Sequence, residues 1–220
     1  MGYFVDHLDA IDQKKEELKG HQILSVLFSA IGEEKLRSYA GLHVGCTEGT
    51  ITYYLSKHLK SIIGVDIDEQ SIEYARENYS SDNSTFERQD ATKLSLQSES
   101  FDLIICNHSY NYVDNVEMLI SEIWRVLKFH GYCYFAATRL GKDPAGYLTR
   151  NLSYWGLRKL VRLFELEDYT IEVLKKPTEY NLHMNNIYTQ IGKRIYFILK
   201  PLIFMLPSYI WVLKKTVVSK

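Results

Sequence analysis

The amino-acid sequence predicts an α/β fold in which a mostly parallel sheet is covered by helices on both faces. Two observations lead to this prediction. Short apolar segments alternate with helical patterns from Gly41 to Thr138, and a glycine-rich turn follows the first apolar segment. Alternation of this kind builds right-handed β-α-β units, which place their strands parallel in one sheet. With 220 residues, 46% of them hydrophobic, the chain is long enough to bury a substantial core.

The predicted elements follow one another with the hydrophobic period that each requires. Two helices are expected between residues 3 and 38, with a break near Gly20. The core should then contain strands over 41–44, 61–68, 84–91, 101–109 and 131–138, and helices over 50–58, 69–79 and 116–127. The fourth strand, FDLIICNHS, is apolar on both faces, as expected inside a parallel sheet. We expect a further helix over 154–164.

Composition excludes several classes of function. Nothing in the formal net charge of -1 suggests a nucleic-acid partner, which would normally need a basic face, so we expect none. Cys46, Cys106 and Cys133 are far apart and lie in or beside apolar segments, which predicts buried thiols in a reducing compartment and no metal site. Since the acidic N-terminal segment lacks a signal-like apolar stretch, we expect a cytoplasmic protein.

Polar residues follow the predicted strands where a ligand would bind. In a parallel sheet this is the edge at the carboxyl ends of the strands, and the GCTEG turn, Asp66, Asp90 and the pair Asn107-His108 all fall there. A glycine-rich turn lets a ligand approach the backbone, and Asp66 lies about 20 residues further on, where a carboxylate reaches a ribose diol. The spacing favours an adenosyl ligand over a dinucleotide, because the third glycine of G-x-G-x-x-G is replaced by Thr50.

From about residue 37 to 138 the sequence resembles the class I S-adenosylmethionine-dependent methyltransferases. The matching segments are HVGCTEGT, IIGVDIDEQSIEYAREN, RQDATKL, FDLIICNHSYNYV and EIWRVLKFHGYCYFAATR. The resemblance implies a Rossmann-like, seven-stranded methyltransferase sheet whose last two strands form a reversed hairpin. Tyr169–Leu174 and Tyr209–Leu213 are the candidates for that hairpin.

The resemblance also implies S-adenosylmethionine as the cofactor. In that family Asp66 would bind the ribose hydroxyls, Ile67 would pack on the adenine, and Asp90 would accept from the adenine amino group beside the Ala91 backbone. The residues expected to contact the cofactor are His43, Gly45, Cys46, Thr47, Gly49, Asp66, Ile67, Asp90, Ala91 and the backbone of Asn107.

Two positions depart from the family pattern. His43 stands where an acid usually helps to hold the methionine ammonium. A neutral imidazole can still accept one hydrogen bond there, a protonated one would repel the cationic ligand, and a purely structural bond is an equal alternative. Thr47 stands where a glycine is usual. If the position needs a positive φ, threonine is strained by about 1–3 kcal/mol; otherwise its hydroxyl could face the methionine carboxylate.

Candidate acceptor-side residues follow the fourth and fifth strands. A hydroxyl acceptor needs a base, and His108 is the best-placed candidate, with a structural hydrogen bond as the alternative. Asn111 and Tyr112 either contact the substrate or begin the next loop, and Arg139 either binds an anionic substrate or is solvated.

The last forty residues contain no acidic residue and hold a long apolar stretch. Because a lysine and two prolines interrupt this stretch, a membrane span is disfavoured. We expect a helical insertion, Ile187–Leu206, that caps the substrate pocket. Its residues Lys193, Arg194 and Lys200 offer peripheral contact with an anionic membrane as an alternative.

The sequence therefore predicts a single domain over 1–220, with N-terminal helices in 1–40, a cofactor-binding core in 41–139 and a substrate-side region in 140–220. The expected function is methyl transfer from S-adenosylmethionine to a small-molecule or lipid- or sugar-linked acceptor, by O-methylation. The alternatives are a catalytically inactive methyltransferase-like binding protein, a nicotinamide-dependent oxidoreductase and a membrane-bound form of the enzyme.

Overall fold

The computed structural model describes residues 13–138, 169–175 and 208–217. Its helices are α1 Gln13–Ile31, α2 Glu33–Leu36, α3 Thr50–Ser56, α4 Glu69–Tyr79 and α5 Val116–Val126. Its strands are β1 Ala40–Val44, β2 Ser61–Asp66, β3 Ser84–Arg88, β4 Phe101–Asn107, β5 Leu127–Thr138, β6 Tyr169–Lys175 and β7 Ser208–Val217. The predicted α/β class is confirmed.

The strands lie in the order β3-β2-β1-β4-β5-β7-β6. Strands β1 to β5 are mutually parallel, and β7 pairs antiparallel with both β5 and β6. The segments predicted for the reversed hairpin lie in β6 and β7. Chain order reverses between β1 and β4, so the carboxyl ends of these strands form the crevice in which ligands of open α/β sheets bind.

The two faces of the sheet carry separate apolar clusters. On β1, Leu42 and Val44 pack with the α5 residues Ile120 and Trp124 on one face. The other face packs against α1 and α3 through residues such as Ile105. Since successive side chains of a strand alternate between faces, His43 points towards α1 and α3. All three cysteines are free and buried, as the sequence predicts.

The predicted break near Gly20 is wrong. Helix α1 continues through this residue and ends at Ile31, before Gly32 with its φ of 93°. Gly20 instead marks the contact between α1 and α3, because a Cβ placed on it would lie 2.6 Å from Cδ1 of Tyr54. The glycine is needed for the close approach of the two helices and does not end either of them.

Lys215 joins β7 to the C-terminal end of α5. Its side chain is only 2% exposed, and Nζ donates to the carbonyls of Trp124 at 3.0 Å and Leu127 at 2.8 Å. Glu99 lies 3.6 Å from the same ammonium group. A cation is stabilised at a helix C-terminus by the unpaired carbonyls there. This lysine, one of the basic residues of the C-terminal segment, is therefore a structural residue.

Several predicted features lie outside the described residues. They are the helix over 154–164, Arg139, the basic residues Lys193, Arg194 and Lys200, and the cap Ile187–Leu206. In the part of the chain that the structure describes, no helix combines the length and apolar character that a membrane crossing requires.

Candidate functional site

The loop between β1 and α3 is tied to the neighbouring strand β2. The backbone N–H groups of Gly45 and Cys46 both donate to the carbonyl of Val65, at 2.8 and 3.0 Å. Gly49 closes the turn by donating to the Cys46 carbonyl at 3.0 Å. The loop therefore has a fixed position at the carboxyl end of β2, beside the crevice.

Both glycines of this loop are required by packing within the protein. Gly45 and Gly49 have φ values of 71° and 91°. A Cβ on Gly45 would lie 2.1 Å from Oγ of Ser109, and one on Gly49 would lie 2.8 Å from Cβ of Ala75. The Ser109 hydroxyl donates to the Val44 carbonyl at 2.6 Å. Neighbouring elements thus approach the loop at the two points where the sequence suggested room for a ligand.

Thr47 has a positive φ of 49°, the case in which the sequence predicts strain. Holding a β-branched residue in this region costs about 1–3 kcal/mol. Two hydrogen bonds hold the residue there. Its N–H donates to Oδ2 of Asp66 at 3.0 Å, and its hydroxyl donates to Oε2 of Glu48 at 2.6 Å. Thr47 therefore links two carboxylates.

Asp66 lies at the end of β2 and is 9% exposed. Burial raises the pKa of its carboxyl, and the backbone N–H groups of Asp68, Thr47 and Ile67 oppose that rise. Its Oδ1 accepts from Asp68 at 3.0 Å. A carboxylate oxygen can accept two hydrogen bonds, so Asp66 retains capacity for a ligand hydroxyl. Ile67 beside it is 63% exposed and offers an apolar surface.

The residues after β3 form a turn beside Asp66. Gln89 donates its backbone N–H to the Asp66 carbonyl at 2.9 Å. Asp90 is exposed, and its Oδ1 accepts from the N–H and hydroxyl of Thr92 at 2.8 and 2.7 Å, bonds that lower the pKa of its carboxyl. Ala91 packs against the core cluster around α5. The ends of β1, β2 and β3 are thus brought together.

His43 is held by a side chain of α3. It is 2% exposed, and its Nδ1 lies 2.7 Å from Oγ1 of Thr52. Burial lowers the pKa of this imidazole to about 4, so it is neutral at physiological pH. The structure therefore gives His43 the structural hydrogen bond that the sequence left as one of two alternatives, with a hydroxyl as the partner.

Glu48 is the residue of this loop that sequence analysis missed. Its side chain is buried, at 4% exposure, although it follows a polar threonine and precedes a glycine. Burial raises the pKa of its carboxyl, the Thr47 hydroxyl opposes this rise, and Glu16 of α1 adds to it. The sequence signal was an acid inside the glycine-rich turn itself.

Asn107 and His108 end β4 on the other side of the crevice. Oδ1 of Asn107 and Nδ1 of His108 are buried and have no hydrogen-bond partner among the residues that the structure describes. His108 has a φ of 66°, and burial, with Lys19 of α1, lowers the pKa of its imidazole to about 4. Both side chains are therefore neutral and able to hydrogen-bond a ligand.

The 3₁₀ turn Ser109–Tyr112 follows directly and contains the two predicted substrate residues Asn111 and Tyr112. Tyr112 is 49% exposed. No group of three or more His, Cys, Asp and Glu side chains within the described ranges could hold a metal ion.

Comparison with known proteins finds similar methyltransferase domains. A family model described as a methyltransferase domain matches residues 42–135. The malonyl-[acyl-carrier protein] O-methyltransferase of Bacillus cereus is 30% identical over 118 residues, which are 53% of this chain and 43% of that protein. The ubiquinone biosynthesis O-methyltransferase of Coxiella burnetii is 28% identical over 97 residues, 43% of this chain and 42% of that one.

The chain thus spans less than half the length of either curated relative. Among solved structures, an S-adenosylmethionine-dependent methyltransferase from Mesorhizobium loti superposes with a TM-score of 0.62. It is 18% identical, and the match covers 86% of this chain and 96% of that one. At 18% identity the structural match shows that the two proteins share a fold.

Proposed function

We propose that the chain is a class I S-adenosylmethionine-dependent methyltransferase, which transfers a methyl group from that cofactor to a small-molecule or lipid- or sugar-linked acceptor. The match of a methyltransferase-domain model to residues 42–135 supports this proposal. The observation that carries this proposal is the contact between the Thr47 N–H and Oδ2 of Asp66 at 3.0 Å. It places the β1–α3 loop directly against the carboxylate that would bind a ribose. A nucleoside on Asp66 would then have Ile67 beside it and the rest of the ligand along the loop.

The described residues fit such a cofactor. Asp66 has acceptor capacity left beside the bonds from the Thr47 and Asp68 N–H groups, and Ile67 presents an apolar surface. Across the crevice, Asn107 provides a buried polar atom that the cofactor would pair, and the buried Nδ1 of His108 is left for the acceptor. Buried polar groups without partners cost free energy, so a bound ligand that pairs them gains affinity.

When bound, S-adenosylmethionine supplies an electrophilic methyl group on its sulfonium, and alignment with the acceptor provides much of the rate. We propose oxygen as the acceptor atom, with His108 receiving the proton of the acceptor hydroxyl. Its pKa of about 4 keeps the imidazole neutral at neutral pH, so one ring nitrogen can accept the proton, but it makes the ring a weak base. The names of the two curated relatives, both O-methyltransferases, support oxygen as the acceptor atom.

Calorimetric titration tests the cofactor. Wild-type protein should bind S-adenosylmethionine and S-adenosylhomocysteine with micromolar affinity, and Asp66→Asn should weaken both by about tenfold or more, since it removes a charged hydrogen-bond acceptor. Asp82→Asn, an exposed aspartate before β3, is the matched control and should bind as the wild type does. Wild-type protein that binds neither ligand at millimolar concentration would refute the proposed function.

Methyl transfer is then measured as S-adenosylhomocysteine formation with a panel of hydroxylated quinone precursors, carboxylated acyl carriers and lipid-linked sugars. A turnover that His108→Gln lowers while leaving cofactor affinity unchanged supports the assigned base. Equal turnover in the two proteins shows that another group receives the proton.

A second candidate is a methyltransferase-like binding protein without turnover. The φ of 49° at Thr47 and the engagement of His43 with Thr52 favour it, since both alter the usual cofactor loop. It predicts cofactor binding with no product from any acceptor. The glycine spacing argues against nicotinamide chemistry. A quench or shift of tryptophan fluorescence on addition of NADH would revive that alternative.

We further propose a cytoplasmic location with peripheral membrane contact through the segment Ile187–Leu206, which contains Lys193, Arg194 and Lys200. Co-sedimentation with vesicles that contain anionic lipid tests this contact. Vesicles of neutral lipid are the control.

A further inference from the structure

Glu48 is a buried carboxylate with no cationic partner among the described residues. Its side chain is 4% exposed and accepts a 2.6 Å hydrogen bond from Thr47. Among the side chains that the structure describes, no lysine, arginine or histidine forms an ion pair with it. Its charged neighbour is another acid, Glu16 of α1. A buried carboxylate is normally paired, so this position calls for a cation from outside the chain.

The position of Glu48 relative to Asp66 indicates which cation. Thr47 donates its N–H to Asp66 and its hydroxyl to Glu48, so both carboxylates contact the same residue of the loop. Burial raises the pKa of the Cys46 thiol, and the nearby charges of Asp66 and Glu48 both add to that rise. A ligand whose ribose binds Asp66 and whose other end follows the loop would bring that end to Glu48.

His43 cannot provide the opposite charge that a cationic ligand needs. Its Nδ1 is engaged with Thr52, and the imidazole is buried and neutral. A neutral imidazole offers a hydrogen bond but no negative charge, whereas hydrogen bonds between ionised groups are about twice as strong as neutral ones. Of the two residues, only the glutamate can balance a cation.

We propose that Glu48 binds the ammonium group at the amino-acid end of S-adenosylmethionine, and that the negative charge of the cofactor loop therefore lies after Thr47 instead of on β1. This inference rests on the proposed function. In the bound state the ammonium would donate to Oε1 or Oε2 of Glu48, while the Thr47 hydroxyl keeps its own bond to the carboxylate. The strained backbone of Thr47 then has a role, because it holds both carboxylates in contact with one residue.

Three ligands separate this role from a structural one. S-Adenosylmethionine and S-adenosylhomocysteine carry the ammonium group, whereas 5′-methylthioadenosine keeps the adenosine and lacks the amino acid. Each is titrated calorimetrically into wild type, Glu48→Gln, Glu48→Asp and the control Glu73→Gln, which changes an exposed residue of α4. Thermal unfolding of every variant reports its folding.

Glu48→Gln should weaken the two ammonium-bearing ligands by about tenfold or more and leave 5′-methylthioadenosine within about twofold of wild type. Glu48→Asp, which keeps the charge, should lie between wild type and Glu48→Gln, and Glu73→Gln should match wild type. Equal weakening of all three ligands, or no weakening, would overturn the inference and leave the proposed function standing. If Glu48→Gln does not fold, the same selectivity in Glu48→Asp decides.

Wild-type protein that binds none of the three ligands would instead reject the proposed function, and this inference with it.

Discussion

Ser109 occupies the space beside Gly45 that a side chain at position 45 would need. A Cβ on Gly45 would lie 2.1 Å from Oγ and 2.4 Å from Cβ of Ser109, and the φ of Gly45 is 71°. The serine hydroxyl also donates to the Val44 carbonyl at 2.6 Å. The turn after β4 is thereby fixed against the loop after β1, across the crevice where the chain order reverses.

Gly45→Ala should therefore destabilise the protein by more than the cost of its backbone conformation. The steric conflict adds to a positive-φ penalty of about 1–3 kcal/mol. Gly32→Ala is the control, because Gly32 has a φ of 93° but no atom within 4 Å of its added Cβ. Urea unfolding should show a smaller loss for Gly32→Ala.

A double-mutant cycle isolates the contact itself. Ser109→Gly removes the atoms that the new methyl group would meet, so Gly45→Ala should cost less in that background, by an interaction free energy of about 1 kcal/mol or more. Additive costs would show that the conflict with Ser109 does not determine the effect.

The buried imidazole of His43 should make stability depend on pH. Its pKa is about 4 in the folded protein, against 6.5 when exposed. The unfolded chain therefore binds the proton more tightly. The contribution of His43 is fully present above pH 6.5 and is lost as the pH falls towards 4. The full difference corresponds to about 3 kcal/mol, at about 1.4 kcal/mol for each pKa unit.

The measurement compares urea unfolding of wild type and His43→Gln at pH 7.5 and pH 5.0. Wild type should lose about 2 kcal/mol more than the variant over this interval. The carboxyls of Asp66 and Glu48, whose raised pKa values favour folding as the pH falls, titrate in both proteins and cancel in the comparison. Equal losses would mean that His43 is not buried and neutral in solution.

The sequence predicted the elements whose signals are local. Helix α4 has the bounds that the sequence predicts, Glu69–Tyr79. Asp68 caps it by accepting from the Ser71 N–H at 3.1 Å, and aspartate is a residue type that commonly precedes a helix. The position of Asp66 beside the loop follows from the parallel pairing of β1 with β2, and strands that are consecutive in the chain are usually neighbours.

The features that sequence analysis missed depend on contacts between residues that are distant in the chain. Gly20 was interpreted as a helix break because glycine disfavours helices, but its partner Tyr54 lies 34 residues away in the chain. The burial of Glu48 and Lys215 likewise follows from contacts between separate elements, and no local pattern reports that a charged side chain is buried. The acceptor-side residues after 138 lie largely outside the described ranges.

Gly20→Ala tests that long-range explanation. Alanine is the better helix former by about 1 kcal/mol, so an isolated helix would gain stability. Here the added Cβ would lie 2.6 Å from the Tyr54 ring, and we expect the protein to lose stability in urea unfolding. In a Tyr54→Ala background the same change should become stabilising. A gain of stability in the wild-type background would contradict the close packing of α1 on α3.

Replacement of Lys215 should remove the hydrogen bonds that join β7 to the C-terminal end of α5 and so destabilise the protein. Lys215→Met keeps the length of the side chain but leaves the carbonyls of Trp124 and Leu127 without the ammonium that they now share. Since hydrogen bonds to charged groups contribute about 1.5–3 kcal/mol, we expect a loss of about 2–4 kcal/mol in the free energy of unfolding. The matched control is Lys214→Met. In the wild type the Lys214 ammonium lies 5.9 Å from the centroid of the Tyr132 ring, a contact that contributes about 1 kcal/mol or less. A Lys215→Met protein as stable as wild type would show that apolar packing replaces the ammonium without loss, as can happen when a buried charge is removed.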